Sequence, residues 1–163
     1  MEQSFATWLH ATALSQAINY YPWLWPICES LHFIGLALLV GITGTLDLRL
    51  LGFMKSVSIS AIRDFMPWAI VGFAINLVTG LVFFIGLPRQ YVDNVAFYGK
   101  MFFLLVAGLN AMFFETRLGS RVLTLGPGED TPTSFKIVGA LSLFSWLAVL
   151  YFGRMLPFIG NSF

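Results

Sequence analysis

Four long apolar stretches, separated by short polar connections, constrain the fold of this chain more than any other feature of its sequence. A helix needs about 20 mostly apolar residues to cross the hydrocarbon core of a bilayer. Backbone that faces lipid must satisfy its own hydrogen bonds, which favours helices. Runs such as 35–42 lack the alternation of apolar and polar residues that a barrel strand requires. We predict an all-α integral membrane protein, a four-helix bundle forming one domain over residues 1–163. The predicted spans are 23–51, 65–87, 95–114 and 135–156.

The composition supports a membrane protein and excludes several other classes. The chain is 58% hydrophobic and 10% charged, whereas a soluble domain is about 45–50% apolar and about 25% charged. The net charge of +1 provides no basic surface for nucleic acid. A single cysteine, Cys28, excludes an internal disulfide framework and a cysteine-based zinc site. Because the sequence contains no nucleotide-binding glycine loop, serine–histidine–aspartate set or HExxH motif, we expect no catalytic activity.

The N-terminal segment is predicted to lie along the membrane surface. Residues 4–18 have the pattern of one amphipathic helix, with Ser4 as its N-cap and Phe5, Trp8 and Leu9 on one face. Tyrosine and tryptophan side chains follow at once, as in the aromatic belt of a membrane interface.

The distribution of basic residues predicts the orientation. Six lie in or beside the connections that follow the first and third spans, and three lie at the opposite end. Cytoplasmic connections carry the excess of lysine and arginine, so we expect both termini to be periplasmic and the protein to reside in a bacterial inner membrane. The six are Arg49, Lys55, Arg63, Arg117, Arg121 and Lys136, and the three are Arg89, Lys100 and Arg154.

The two halves of the chain align weakly at an offset of 68 residues. At that offset Asp47 falls on Glu115 and Arg49 falls on Arg117. One interpretation is a tandem repeat of two helical hairpins about an axis along the membrane normal. The other is chance similarity between two hairpins rich in leucine and phenylalanine.

Ionisable residues inside a membrane are the first candidates for function. His32 lies about 13 Å into the first span, at 1.5 Å per residue, and Glu29 precedes it on the same helical face. One interpretation is a copper or zinc site formed by His10, Glu29 and His32, or a haem b with His32 as an axial ligand. The alternative is that Glu29 reaches the interface while His32 hydrogen-bonds a neighbouring helix. In either case we expect His32 to face the bundle interior near its outer end, with Glu29 or Lys100 close by.

Other polar residues of the spans are expected to hold helices together. We predict that Asp47 or Glu115 pairs with Arg49 or Arg117 across spans one and three; the alternative use of this charge cluster is an anion or lipid head-group site. Asn76 and Asn110 should each find a partner on another helix. Two stripes of small residues are predicted to be packing surfaces: Gly72, Asn76 and Gly80, and Ala37, Gly41 and Thr45.

Several stretches of the sequence resemble an uncharacterised bacterial family of four-helix inner-membrane proteins, domain of unknown function 6644. The resemblance rests on Trp-Pro-Ile-Cys-Glu-Ser-Leu-His-Phe-Ile-Gly over 25–35, Asp-Leu-Arg-Leu-Leu-Gly over 47–52, Ala-Gly-Leu-Asn-Ala over 107–111, and the final Gly153-Arg154. Members often carry a histidine where this chain has Glu115, which removes a potential second ligand. The resemblance implies a bacterial inner-membrane protein and supplies no activity.

Two functions follow as expectations. The first is an accessory or anchoring protein, a non-catalytic subunit that docks in the bilayer on other membrane subunits or on further copies of itself. The alternative is a protein that binds haem b or a metal ion through His32 at its periplasmic end.

Overall fold

The four predicted spans are present as helices in the structure, a computed structural model that describes residues 2–126 and 128–159, with side chains from Phe5 onwards. Four helical segments are long and apolar enough to cross a membrane: 24–50, 59–86, 95–122 and 133–155. No strand occurs in the described part of the chain, so the prediction of an all-α multi-pass membrane protein is confirmed. The helices are α1 (Glu2–His10), α2 (Ala13–Tyr20), α3 (Leu24–Leu50), α4 (Ile59–Arg63), α5 (Met66–Gly86), α6 (Pro88–Val92), α7 (Val95–Phe113), a π-helical turn (Phe114–Leu118), α8 (Gly119–Val122) and α9 (Thr133–Met155).

The N-terminal segment forms two helices, so the prediction of one continuous helix over 4–18 is wrong. The chain breaks at Thr12, whose hydroxyl donates to the Leu9 carbonyl (2.7 Å) and accepts from the Ser15 amide (3.3 Å). A threonine that bonds to nearby backbone on both sides favours a helix end over a helix interior. The first helix begins at Glu2 rather than at Ser4, and the side chain of Ser4 lies outside the described residues.

Both N-terminal helices pack against the outer end of the bundle. Helix α1 lies on α6 and α2 lies on α5, with Ala6 of α1 buried. Phe5 and Trp8 are exposed and their rings are 5.9 Å apart. The predicted aromatic face therefore points away from the bundle, where membrane lipid would lie.

Helix α3 is the central element, because it packs against both α5 and α9. It approaches α5 most closely where two glycines face each other: a Cβ added to Gly72 would lie 2.6 Å from the Gly35 carbonyl oxygen. It approaches α9 at Gly139, where an added Cβ would lie 3.0 Å from the Asp47 carbonyl oxygen. Glycine is required at these positions because any side chain would displace a neighbouring backbone.

One of the two predicted packing stripes faces outward. Gly72, of the α5 stripe, is buried at the crossing with α3. On α3, however, Ala37 and Gly41 are exposed, and no atom lies within 4 Å of a Cβ added to Gly41. Gly35 and Leu39 are the buried residues of that helix at this level. Ala37 and Gly41 therefore face away from the bundle, and the use of their stripe as a packing surface stays a prediction.

Two apolar cores fill the bundle. The first closes the inner end, where α4 and α8 fold beneath the spans, and it includes Leu50, Ile59 and Val122, each at most 1% exposed. The second lies among the four spans and includes Leu39, Ala69, Ala107 and Trp146. The two cores leave the polar residues of the spans at two levels, one near each end.

Candidate functional site

A short polar contact joins His32 of α3 to Thr79 of α5. His32 Nδ1 lies 2.7 Å from Thr79 Oγ1, and Thr79 is only 4% exposed. This contact confirms that His32 turns towards a neighbouring helix and hydrogen-bonds it, as a polar ring inside a bilayer must.

The partners of Thr79 fix which nitrogen of the His32 ring carries the proton. The Thr79 hydroxyl donates its single hydrogen to the Ile75 carbonyl, 2.7 Å away. It can therefore only accept from His32, so we infer that Nδ1 carries the proton and that Nε2 has a free lone pair. Among the described residues Nε2 has no hydrogen-bond partner.

Lys100 of α7 lies at the same end of the bundle as His32, and its charge reaches the imidazole. The lysine side chain extends towards α9: a Cβ added to Gly153 would lie 3.9 Å from its Nζ. Within the described part of the chain, Nζ has neither an ion-pair nor a hydrogen-bond partner. We call His32, Thr79 and Lys100 the outer polar cluster; together with Gly153 it draws on all four spans.

Aromatic rings border the outer polar cluster. The Phe83 ring is 5.6 Å from that of His32, and Trp25 stacks on Phe83 at 5.7 Å with an angle of 13° between the planes. On the Lys100 side, a Cβ added to Gly99 would lie 2.8 Å from Phe152. The cluster is therefore a small polar site in an aromatic setting.

The other two candidates for a metal site are not assembled with His32. His10 and Glu29 are both exposed. No group of three histidine, cysteine, aspartate or glutamate side chains that could hold a metal ion occurs among the described residues. The expected three-ligand metal site is therefore not formed in this structure.

Glu29 acts instead on Tyr91 of α6, at the rim of the same end of the bundle. Burial, and then the nearby charge of Glu29, raise the pKa of Tyr91 to about 12. The Tyr91 ring packs against Phe97 at 5.5 Å and Phe84 at 5.9 Å. Tyr91 thus stays a neutral phenol at physiological pH.

The charges at the inner end pair differently from the prediction. Glu115 Oε2 accepts from Arg63 Nη2 at 2.8 Å, and Arg117 is exposed. No described ion pair joins Asp47 or Glu115 to Arg49 or Arg117, so that prediction is wrong. The cause is local geometry: Glu115 belongs to a π-helical turn, which departs from the α-helical register assumed by the 68-residue alignment.

Arg49 is 0% exposed and binds backbone rather than a carboxylate. Its Nε donates to the Val57 carbonyl at 3.0 Å, and its Nη2 donates to the carbonyls of Gly126 at 3.4 Å and Glu129 at 3.3 Å. These acceptors belong to the two connections at the inner end. Arg49 therefore ties both connections to α3.

Asp47 lies between α3 and α9 with 4% of its surface exposed. The Oδ2 atom of its carboxyl group has no hydrogen-bond partner among the described residues. Asp47 and Arg49 are thus neighbours in sequence that serve two separate interfaces.

The two intramembrane asparagines behave differently. Asn110 Nδ2 donates to the Val138 carbonyl of α9 at 3.1 Å, so its predicted contact across helices is confirmed. Asn76 Nδ2 donates to Gly72 of its own helix at 2.9 Å. The prediction of a partner on another helix is therefore wrong for Asn76.

Two residues of these sites were not among the sequence candidates. Thr79 lies three residues after Asn76 in α5 and therefore on the same face of the helix. Helical spacing of the polar residues could have identified Thr79 as a candidate. Arg63 lies in the short helix α4. No sequence signal selects Arg63 over the other arginines as the partner of Glu115.

The fold and the polar clusters define a class: a multi-pass helical membrane protein with ionisable residues held inside its spans. Within that class, the model of a family of unknown function, DUF6644, matches residues 5–159. The chain belongs to this family, which confirms the resemblance seen in the sequence. No curated protein and no solved structure matches the chain.

Proposed function

We propose that the protein is a non-catalytic accessory subunit that docks on another transmembrane helix. The observation that carries the proposal is the pair of small residues Ala37 and Gly41, which are exposed on the outward side of α3, with the half-buried Thr45 one turn further along the stripe. A small residue that faces lipid has no stabilising advantage over leucine. At a contact between helices, however, small residues let the backbone of a second helix approach closely. Gly41 has open space around it, so a helix can reach the α3 backbone there.

Cysteine crosslinking in native membranes tests this docking surface. In a Cys28→Ala background, we expect Gly41→Cys to form a crosslinked product of defined mass with a short bifunctional maleimide. The matched control is Leu77→Cys on α5, which is 51% exposed and should face lipid. Equal crosslinking at both positions, or none at Gly41→Cys, would count against the proposal. A product of twice the mass would identify the partner as a second copy of this chain.

We also propose that the protein lies in a bacterial inner membrane with both termini periplasmic. Six of nine basic residues belong to the end with the two long connections, and cytoplasmic loops carry this excess. The ion pair of Arg63 with Glu115 joins the two connections at one end of the bundle. This ion pair supports a location of both connections on the same side of the membrane.

A second candidate function is ligand binding at the outer polar cluster. It is favoured by the free Nε2 lone pair of His32, since a ligating histidine commonly donates its other ring N–H to a fixed acceptor. Haem b or a copper or zinc ion is the ligand expected from the sequence. A Soret band in the absorption spectrum of the purified protein would support haem, and elemental analysis would detect the metals. Their absence, together with an unchanged affinity for any added ligand in His32→Ala, would count against this function.

A further inference from the structure

We propose that the groove between α7 and α9, near the inner end of the bundle, binds one phospholipid of net negative charge. One acyl chain lies in the groove, and Arg117 binds the phosphate. The groove involves neither the outward side of α3 nor the outer polar cluster, so this inference goes beyond both proposed functions.

The groove is a cleft on the lipid-facing side of the contact between α7 and α9. Its volume is about 370 Å³, within the range of about 300–1,000 Å³ that is typical of small-molecule sites. Asn110 and Val138 are its most enclosed residues, 8% and 7% exposed, and Asn110 Nδ2 donates to the Val138 carbonyl at 3.1 Å. The open surface is almost entirely carbon, contributed by Val106, Leu109, Phe113, Ile137, Val138 and Leu141.

The depth of the groove suits a hydrocarbon chain. The lining residues lie between 106 and 113 in α7 and between 137 and 141 in α9, and α9 begins at Thr133. A separation of seven residues corresponds to about 10 Å at 1.5 Å per residue. The groove therefore lies in the half of the bilayer next to the inner end, where the apolar tails of lipids are the surrounding medium.

Both walls of the groove extend to a polar side chain at the inner end. In α7, the lining positions 106, 109, 110 and 113 follow helical spacing, and Arg117 comes four residues later, about one turn further. In α9, positions 141, 138 and 137 are followed at the same spacing by Ser134. Both side chains are exposed. The apolar groove thus ends, at the level of the lipid head groups, between a guanidinium and a hydroxyl group.

The Arg117 side chain is free to bind an anion. It has neither an ion pair nor a hydrogen bond within the part of the chain that the structure describes. Glu115, two residues earlier, is paired with Arg63 at 2.8 Å. A guanidinium group binds phosphate through directional, often paired, hydrogen bonds. The head-group site that the sequence allowed for the whole charge cluster is thereby assigned to Arg117 alone.

Charge complementarity selects an anionic phospholipid as the occupant. A ligand that matches the groove is apolar along about 10 Å and acidic at the end near Arg117. Phosphatidylglycerol has this pattern. Phosphatidylcholine also carries a phosphate, but its own quaternary ammonium group offsets that charge. A partner helix would match only if it placed an acidic side chain beside Arg117.

Photo-crosslinking of the full-length protein tests the site. Nanodiscs of phosphatidylcholine receive a small fraction of phosphatidylglycerol with a diazirine in one acyl chain, and peptide mass spectrometry locates the adducts. We expect adducts in 106–113 and 137–141, at about five times the yield given by phosphatidylcholine with the same diazirine, from the attraction of one basic residue for an anionic head group. Equal yields from the two lipids would overturn the proposal.

One pair of variants tests the head-group contact. Arg117→Met should lower the yield from phosphatidylglycerol about fivefold, to that from phosphatidylcholine. The control, Arg154→Met, removes an exposed positive charge from the outer end and should change the yield by less than about twofold. An undiminished yield from Arg117→Met would overturn the proposal.

A second pair of variants tests the groove. Val106→Phe adds a ring to its wall and should abolish the adducts in 137–141. The control, Leu105→Phe, adds the same ring at a neighbouring position that is 61% exposed and does not line the groove; its adducts should be unchanged. If Val106→Phe does not fold, Leu141→Trp obstructs the opposite wall and should have the same effect.

Two further outcomes would overturn the proposal. Equal adduct yields in the groove and at Ile70 and Val78, exposed residues of α5, would mean that lipid contacts the whole surface without preference. A protein–protein product from Leu109→Cys in a Cys28→Ala background, formed with a bifunctional maleimide while lipid adducts are absent, would mean that a helix occupies the groove.

Discussion

At the scale of single residues, burial decides which charges matter to stability. Arg49 has no carboxylate partner among the described residues, yet its side chain is completely enclosed and donates to carbonyls of two separate connections. The carbonyls at the C-terminal end of α3 favour a cation there through the helix dipole. Arg49 therefore acts as a structural tie between the spans and the inner connections.

Replacing Arg49 should destabilise the protein strongly. Arg49→Met removes the hydrogen bonds from an enclosed guanidinium group to three backbone carbonyls. A hydrogen bond to a charged group is worth about 1.5–3 kcal/mol, so we expect the free energy of unfolding to fall by at least about 2 kcal/mol. The measurement is a sodium dodecyl sulfate unfolding titration in mixed micelles. The control is Arg117→Met, at an exposed position, which should stay within about 0.5 kcal/mol. Equal stability of the two variants would contradict the assigned role.

Asp130 gives a prediction about pH. Hydrogen bonds from Lys136 (3.0 Å), then Lys55 (3.2 Å), then the Thr131 amide lower the pKa of the Asp130 carboxyl to about 2. Because the folded pKa lies below the unfolded value of 3.8, this contribution to stability is present above pH 3.8 and lost as pH falls through about 2. Carboxyl NMR should give a midpoint near 2. We expect Lys136→Met to raise the midpoint of the Asp130 titration more than Lys55→Met does. A wild-type midpoint near 3.8 would contradict these contacts.

The sequence could indicate which polar residues matter but not which of them meet. His32 was found by the cost of placing an imidazole in a bilayer, and the structure confirms its turn towards another helix. The partner of Glu115 could not be found in this way. It depends on the path of a connection and on a π-helical turn, neither of which hydropathy encodes.

At the scale of helices, the crossing of α3 and α5 depends on two facing glycines. Gly72→Ala would place a methyl group 2.6 Å from the Gly35 carbonyl oxygen, so the helices must separate. We expect a loss of about 1–3 kcal/mol in the free energy of unfolding, measured by the same titration. Gly108→Ala on α7 is the matched control because its Cβ meets open space. It should be neutral or more stable by up to about 1 kcal/mol, from helix propensity; equal losses would contradict this crossing.

Helix existence could be predicted far better than helix orientation. Each span is long and apolar enough to cross a membrane, so its existence can be predicted from hydropathy. A membrane helix is apolar on the sides that face lipid as well as on those that face its neighbours, so the pattern of α3 does not say that Gly35 packs inward while Gly41 faces out. The break at Thr12 has another cause. The amphipathic pattern of residues 4–18 favours one continuous helix, but the hydrogen bonds of the Thr12 side chain to nearby backbone end the first helix there.

At the scale of the whole molecule, the two hairpins are alike while the contacts between them are not. Helix α3 packs on α5, and α7 packs on α9, as a tandem repeat would require. An exact two-fold relation would also pack α5 on α7 as closely as α3 packs on α9. No comparably close packing joins α5 and α7 in the described structure. The tandem-repeat interpretation therefore gains support within each hairpin but not between them.

Orientation in the membrane is the remaining property of the whole molecule, and exposed positions at each end allow it to be tested. In a Cys28→Ala background, Asp93→Cys marks the end that carries the outer polar cluster and Thr124→Cys marks the opposite end; both native side chains are exposed. The excess of basic residues predicts that the latter end is cytoplasmic. A membrane-impermeant maleimide added to intact spheroplasts should label Asp93→Cys only, and detergent should make both reactive. Labelling of Thr124→Cys alone would reverse the topology, and any ligand of His32 would then enter from the cytoplasm.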